Sequence, residues 1–235
     1  MYSVLFSKIE FGMDLVVERL KEFVKPDYKV AIFPWAFSVE ITSEKFEKEY
    51  FPIDGRRYNK YYTELKKIGI SKENIRVCNP YKDTRNDLIE IIQNSDILLL
   101  PGGNPEMFFK KVLHDTELIY YIKHYKGIII GESAGCELQL KRYFITAKNN
   151  YYKYFAFYDG FGVLDDPFYI DVHSINNKRY LAKLQEVAND KNKSVYAIFD
   201  DGALIYNRDS SKLEIFGNVL TFVPKDKWLN VLVEG

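Results

Sequence analysis

The first half of the chain alternates short apolar runs with segments whose apolar residues recur at helical spacing. Five runs have the length and composition of strands buried in a sheet, at 4–6, 30–33, 75–78, 97–100 and 127–130. Helical spacing predicts the segments between them as helices, at 13–24, 56–68, 84–94 and 105–125, the last as one long helix or two short ones. This alternation is typical of a mostly parallel sheet with helices on both faces.

The pattern changes after residue 143. A strand at 168–172 and an amphipathic helix at 177–189 lead into four short strands separated by Asp-Gly, Asp-Ser-Ser and Gly-Asn turns, at 195–199, 203–206, 213–216 and 220–223. Strands in this close succession predict an antiparallel meander. The expected fold is therefore one α/β domain over 1–235, with the C-terminal meander attached to the parallel sheet.

Composition narrows the class of protein. The 33 basic and 33 acidic residues balance, so no dedicated nucleic-acid surface is expected. Early charges interrupt any secretory signal, and no apolar segment reaches the roughly 20 residues that span a bilayer. Cys78 and Cys136 are isolated, which predicts no disulfide framework. We therefore expect a soluble cytoplasmic protein that binds neither nucleic acid nor membrane.

The clearest chemical signal is Gly131-Glu132-Ser133-Ala134-Gly135. It follows the strand at 127–130 and precedes a segment, 136–142, that is predicted to be helical. A Gly-x-Ser-x-Gly between a strand and a helix is typical of a nucleophile elbow, whose sharp turn needs flanking glycines. This context favours Ser133 as a nucleophile over a structural serine, with the Ala134 amide as an oxyanion donor.

Two further strand ends carry candidate residues. The turn at 101–105 contains two glycines whose amides could approach a ligand, although an ordinary strand-to-helix turn also favours glycine. A serine nucleophile needs a base, and imidazole has a suitable pKa. His114 and His124 fall in a helical segment, whereas His173 ends a strand. By elimination, His173 is the predicted base.

The group that would orient His173 is left open among three carboxylates. Asp200 and Asp201 follow a predicted strand, and adjacent strand residues point in opposite directions, so only one of them can face the site. Asp171 competes because it lies two residues before His173. No closely spaced histidines or cysteines predict a metal site, and no cofactor is expected, although magnesium bound by carboxylates alone would leave no such pattern.

Four segments in this order resemble a known family: Leu-Leu-Leu-Pro-Gly-Gly-Asn, Gly-Glu-Ser-Ala-Gly, Ile-Asp-Val-His and Phe-Asp-Asp-Gly-Ala-Leu-Ile. They are similar to those of the peptidase E (aspartyl dipeptidase) and cyanophycinase family of serine peptidases. The resemblance covers most of the chain, from about residue 31 to 206. It implies a flavodoxin-like sheet related to class I glutamine amidotransferase domains, with serine in place of their cysteine nucleophile.

The resemblance also implies roles for six residues: the nucleophile Ser133, the base His173, the third triad member Asp201, the oxyanion-hole amides of Gly103 and Ala134, and the substrate-binding Asn104. The chain departs from the family pattern in three places. Asp201 stands where the family typically has the longer glutamate, and Ser174 replaces a common aromatic residue. The segment 145–160, which is expected to shape the substrate pocket, does not match the aspartyl dipeptidases.

The leading hypothesis is a serine peptidase that hydrolyses small peptides, with an acidic residue near the scissile bond. An esterase or amidase using the same residues is one alternative, because a Ser–His pair does not fix the bond that is cleaved. A non-catalytic relative that binds a small molecule or a partner is the other. The fold is also compatible with a homodimer.

Overall fold

The computed structural model describes residues 1–37, 41–51, 55–147, 152 and 154–225. In this part of the chain the strands are β1 (Tyr2–Phe6), β2 (Val30–Ile32), β3 (Ile75–Val77), β4 (Ile97–Leu100), β5 (Ile128–Glu132), β6 (Arg142–Ile145), β7 (Ala156–Asp159), β8 (Tyr169–Val172), β9 (Val195–Asn207) and β10 (Lys212–Phe222). The helices are α1 (Ile9–Lys21), α2 (Ser43–Tyr50), α3 (Arg56–Lys67), α4 (Arg85–Gln93), α5 (Pro105–Val112), α6 (Thr116–Lys123), α7 (Ala134–Glu137) and α8 (Lys178–Lys191).

Eight strands form one sheet in the order β3-β2-β4-β5-β1-β9-β10, with β8 beside the first half of β9. All pairs from β3 to β1 are parallel, and β8 is parallel to β9. Only the β1–β9 and β9–β10 pairs are antiparallel. The prediction of a mostly parallel sheet with an antiparallel C-terminal part is confirmed. Strands β6 and β7 form a separate hairpin that the sequence analysis did not predict.

Apolar cores lie on both faces of this sheet because side chains alternate along each strand. In β4, Leu98 and Leu100 belong to one core, and Ile97 and Leu99 belong to the other. Helices α4 to α7 contribute to the first core, and helices α1 to α3 contribute to the second. The predicted placement of helices on both faces is therefore confirmed.

Capping residues explain where several helices begin. Thr84 and Asp87 form a reciprocal capping box at the start of α4. Asp115 accepts a hydrogen bond from the Leu118 amide at 3.0 Å and thereby starts α6, which divides the 105–125 segment into two helices. Helix α2 was not predicted, although Thr42 caps it in the same way.

The helix predicted at 136–142 is largely wrong. Helix α7 covers only Ala134–Glu137, and the chain then turns so that Leu140 bridges to Leu164 before β6 begins. All four α7 residues are buried, although the segment does not continue as a longer helix.

The C-terminal meander contains two long strands where four short ones were predicted. The Asp-Gly pair at Gly202 lies inside β9, and the Gly-Asn pair at Gly217 lies in β10 opposite it, at a bulge. A side chain at Gly202 would come within 2.3 Å of the Asn218 carbonyl oxygen, so glycine permits close strand approach there. The actual turn follows Asn207, whose side-chain oxygen accepts hydrogen bonds from the amides of Asp209 and Ser210.

Candidate active site

The candidate site lies at the carboxyl ends of the parallel strands. Strand β5 ends at Glu132 immediately before Ser133, β4 leads into the glycine turn at 101–103, and β8 leads into His173. Ligands bind at this edge of open α/β sheets, because the loops that follow neighbouring strands converge there. The three strand ends that the sequence singled out therefore meet at one place.

Ser133 occupies a strained turn between β5 and α7. Its φ of 50° and ψ of −112° are rarely adopted by residues other than glycine. A side chain at position 131 would lie 2.4 Å from the Gly135 carbonyl oxygen, and one at position 135 would lie 1.8 Å from the Leu100 carbonyl oxygen. Both flanking glycines are thus sterically required, as the elbow motif predicts.

Backbone and thiol contacts anchor this turn. The Ser133 amide donates to the Phe6 carbonyl oxygen at 2.8 Å, which ties the elbow to the end of β1. The Cys136 thiol lies 3.0 Å from the Gly131 carbonyl oxygen and 3.1 Å from that of Phe6. Burial raises the pKa of Cys136 well above its ordinary value, so the group is a protonated donor beneath the elbow.

His173 lies between Ser133 and an aspartate. Its Nε2 is 2.9 Å from the Ser133 Oγ, and its Nδ1 is 2.7 Å from the Asp200 Oδ1. The backbone of His173 has a φ of 53°, and its amide donates to the Ser7 Oγ at 2.9 Å. Serine, histidine and aspartate therefore form a continuous hydrogen-bonded chain of the kind found in catalytic triads.

The third member of this chain is Asp200, which corrects the assignment of Asp201. Strand β9 continues through both residues, so their side chains point in opposite directions, and only Asp200 contacts His173. Asp201 is exposed. Asp171 is buried elsewhere, where it accepts hydrogen bonds from the hydroxyls of Ser174 and Tyr180. Alternation along the strand had left Asp200 and Asp201 open, and it was the family resemblance that pointed to Asp201.

An ion pair with a lysine stabilises the ionised form of Asp200. The Lys8 Nζ lies 2.7 Å from the Asp200 Oδ2, so the two carboxylate oxygens contact Lys8 and His173 separately. Partial burial alone would raise the pKa of Asp200, but the hydrogen bonds from Lys8 and His173 outweigh it and lower the pKa below its ordinary value. Asp200 is therefore an anion throughout the neutral range.

The glycine turn after β4 faces the serine. Gly102 lies so close that a side chain there would be 3.1 Å from the Ser133 Cβ. Gly103 has a φ of 143°, and a side chain there would lie 1.5 Å from the Ala36 carbonyl oxygen. In the described part of the chain, neither the Gly103 amide nor the Ala134 amide donates a hydrogen bond. Both amides are thus available to an incoming oxygen.

Asn104 has a structural role in this turn. Its side-chain oxygen accepts hydrogen bonds from the Glu106 and Met107 amides and thereby caps α5. The same oxygen accepts a hydrogen bond from the Tyr152 hydroxyl at 3.0 Å. Contact of Asn104 with a substrate stays a prediction. The segment 145–160, also expected to shape the pocket, lies partly outside the described residues.

A buried carboxylate beside Ser133 was missed by the sequence analysis. The Glu132 Oε1 lies 2.6 Å from the Lys60 Nζ and accepts from the Ile9 amide at 3.2 Å. Its Oε2 accepts from the Tyr61 hydroxyl at 2.8 Å and, over 3.4 Å, from the Gly102 amide. Glu132 thus connects α1, α3 and the glycine turn. The motif position that it occupies tolerates any residue, so the sequence held no signal for this role.

The Ser–His pair opens into a cavity of about 400 Å³. Its wall includes eight charged side chains, five basic and three acidic: Lys8, Lys45, Arg56, Arg57, Lys60, Glu10, Glu49 and Glu132. The other two histidines, His114 and His124, are exposed on the protein surface. Among the described residues, no group of three or more metal-ligating side chains is found. No helix in the described ranges is long and apolar enough to cross a membrane.

Comparison with solved structures agrees with this architecture. A peptidase E protein of Listeria monocytogenes EGD-e superposes with a TM-score of 0.58 at 17% identity, covering 95% of this chain and 98% of that one. A peptidase from an acI-B1 Actinobacterium gives a TM-score of 0.60 at 13% identity, covering 96% and 95%. The fold is therefore that of an α/β protein of the peptidase E type.

The family follows from the sequence. The family model "Peptidase family S51" matches residues 16–214, and the chain belongs to this family. A cobyrinate a,c-diamide synthase of Methanocaldococcus jannaschii is 27% identical over 130 residues, which cover 54% of this chain. The match spans only 26% of that protein's length.

Proposed function

We propose that the protein is a serine peptidase of the dipeptidase E type that hydrolyses small peptides, with Ser133, His173 and Asp200 as its triad. The observation that supports this most is the unbroken contact chain, 2.9 Å from Ser133 to His173 and 2.7 Å from His173 to Asp200. It favours catalysis over the non-catalytic alternative, because a binding protein has no need for a base aligned with a strained serine.

In the proposed reaction, the His173 Nδ1–H donates to Asp200, which leaves Nε2 free to accept the Ser133 hydroxyl proton. Ser133 attacks the scissile carbonyl carbon, and His173 then gives the proton to the leaving amine. Water then attacks the acyl carbon while His173 takes its proton, and His173 returns that proton to the Ser133 Oγ as the bond between the acyl carbon and Oγ breaks. Asp200 remains ionised and stabilises the imidazolium that forms in each half of the reaction.

The Gly103 and Ala134 amides would hold the oxyanion. Ala134 is the first residue of α7, so its amide is directed away from the helix beside the nucleophile. Gly103 is held by the contact of its turn with Ala36, whose carbonyl oxygen accepts from the Asn104 amide at 2.9 Å. Donors that are fixed before the reaction stabilise the developing charge without reorganisation.

The pocket supports a small, acidic substrate. Lys8 is paired with Asp200, and Lys60 is shared by Glu10 and Glu132. Arg56 and Arg57 share Glu49 at 3.9 and 3.7 Å, and Lys45 forms no ion pair within the described ranges, so the cations of this region exceed its carboxylates by one charge. An unbalanced positive charge favours a carboxylate ligand, so we propose cleavage beside an aspartate.

The test is intact-mass labelling with a fluorophosphonate, accompanied by hydrolysis of an Asp-x dipeptide library. We expect one adduct on the wild type and none on Ser133→Ala or His173→Ala. His124→Ala is the matched control, because the His124 ring is exposed and contacts Tyr120 at the end of α6, and it should label normally. An unlabelled wild type that also hydrolyses no dipeptide would contradict the proposal.

A further inference from the structure

Three consecutive residues at the start of α1 contact three different parts of the site. The Ser7 Oγ accepts from the His173 amide at 2.9 Å and donates to the Ile198 carbonyl oxygen at 2.7 Å. Lys8 contacts Asp200, and the Ile9 amide donates to Glu132. The β1–α1 turn therefore connects the base, the acid and the carboxylate beside the nucleophile.

Asp200 needs such support because it is poorly buried. About 43% of its side chain is exposed, and 39% of the His173 side chain is exposed as well. An exposed carboxylate exchanges between rotamers and binds water, and both would weaken its hold on the imidazole. Lys8 occupies the second carboxylate oxygen, which leaves the first oxygen directed at His173.

We propose that Lys8 is a positioning residue of the triad, which fixes the Asp200 carboxylate and offsets part of its charge so that the protonated form of His173 is not over-stabilised. This inference rests on the proposed function. The Lys8 side chain is itself held by an aromatic contact, since its ammonium lies 5.4 Å from the centre of the Phe11 ring. An ordinary exposed ion pair would contribute little to either stability or activity. Substitution of Lys8 therefore distinguishes a positioning residue from an ordinary surface ion pair.

Three of the other charged groups that line the cavity are bound to one another. The cavity that Ser133 and His173 line also contains Glu10, Lys60 and Glu132. Lys60 lies 2.9 Å from the Glu10 carboxylate and 2.6 Å from that of Glu132, so these three charges are bound to one another. Among the ion pairs of the described residues, Lys8 is the only lysine or arginine paired with Asp200.

The test compares Lys8→Met, Lys8→Arg and the control Lys21→Met, which removes an exposed lysine that ends α1 and is paired with Glu18. Two quantities are measured against pH: the rate of Ser133 labelling by a fluorophosphonate, and the NMR titration of the His173 ring protons. We expect Lys8→Met to move both midpoints to higher pH by about half a unit and to slow labelling at neutral pH several-fold, roughly three to ten times. Lys8→Arg should restore wild-type behaviour, and Lys21→Met should not differ from it.

A double variant shows whether Lys8 acts through Asp200. In an Asp200→Asn background, Lys8→Met should cause no further shift, because the carboxylate that it balances is gone. If Lys8→Met does not fold, Lys8→Gln removes the same charge and should give the same shift. Unchanged titration midpoints in Lys8→Met and Lys8→Gln would overturn the role of Lys8. A shift that persists in the Asp200→Asn background would do the same. Either result would leave the proposed function intact. A wild type that is not labelled and also hydrolyses no dipeptide would overturn the proposed function, and the role of Lys8 with it.

Discussion

The two ends of the proposed triad are built in opposite ways. Ser133 lies on a turn enclosed by backbone, with Gly131 and Gly135 in contact with carbonyl groups that leave no space for a side chain. Asp200 lies on a strand with 43% of its side chain exposed and is held by Lys8 and His173. Steric contact fixes the first end, and charge fixes the second.

This difference predicts different consequences of substitution. At the serine end the residues that shape the site also complete the core, so changing them costs folding free energy. At the aspartate end the contacts are half-exposed and contribute little to folding, so changes there alter activity while the fold remains. Each prediction below tests one side of this contrast.

The largest effect on stability is expected for Gly135→Ala. Its new methyl group would lie 1.8 Å from the Leu100 carbonyl oxygen, which is backbone and cannot rotate away. We expect a loss of about 3 kcal/mol or more in the free energy of unfolding, measured by urea denaturation. Gly162→Ala is the control, because the nearest atom to its new methyl group would be 3.6 Å away, so only the φ of 72° would cause strain there. It should cost only about 1 kcal/mol, and equal losses would refute the steric explanation.

Glu132→Leu should have the next largest effect. It removes the partner of the buried Tyr61 hydroxyl and one of the two partners of Lys60. We expect a loss of about 2–3 kcal/mol in unfolding free energy, because a buried donor is left without an acceptor. Labelling of Ser133 should also slow by roughly tenfold, since Gly102 loses a contact that positions its turn.

The matched control for Glu132→Leu is Glu18→Leu, which removes an exposed carboxylate paired with Lys21. It should change the unfolding free energy by no more than about 0.5 kcal/mol. A Glu132→Leu protein as stable as Glu18→Leu would show that the buried carboxylate does not hold the serine end together.

The smallest effect is expected for the contribution of Asp200 to folding stability, which should change with pH. Because the folded protein lowers the pKa of this group, its contribution is present above the ordinary aspartate range and is lost as pH falls through the folded pKa. The Tm difference between wild type and Asp200→Asn should be at most about 2 °C from pH 5 to 8, and should close below about pH 4. A Tm difference between wild type and Asp200→Asn that widens as the pH falls would contradict a lowered pKa of Asp200 in the folded protein.

The sequence predicted the serine end better than the aspartate end, because steric contacts fix the first and charge contacts between distant segments fix the second. The steric needs of the elbow are local, so Gly-x-Ser-x-Gly after an apolar strand was sufficient to place Ser133. Strand β4 was likewise predicted to the residue, because an unbroken apolar run can be satisfied only inside the sheet. His173 followed from its position at a strand end.

The contacts at the aspartate end depend on how distant segments pair. The choice between Asp200 and Asp201 requires the phase of β9 beside β8, and a strand interrupted at Gly202 was predicted instead of a continuous one. Lys8 and Glu132 reach their partners from remote parts of the chain; Glu132 and Lys60 are 72 positions apart. Such pairs leave no local pattern, and one sequence gives no means of detecting them.

The most direct measurement of the central claim is kcat/KM for hydrolysis of the best dipeptide substrate by Asp200→Asn and Asp201→Asn, with folding checked by circular dichroism. The proposed triad predicts that Asp200→Asn loses roughly 10³–10⁴-fold in kcat/KM, because the imidazole is no longer held in the reactive tautomer. Asp201→Asn should stay within about twofold of wild type, since its exposed side chain does not contact His173. The opposite ranking, or an Asp200→Asn enzyme that is fully active, would contradict the account.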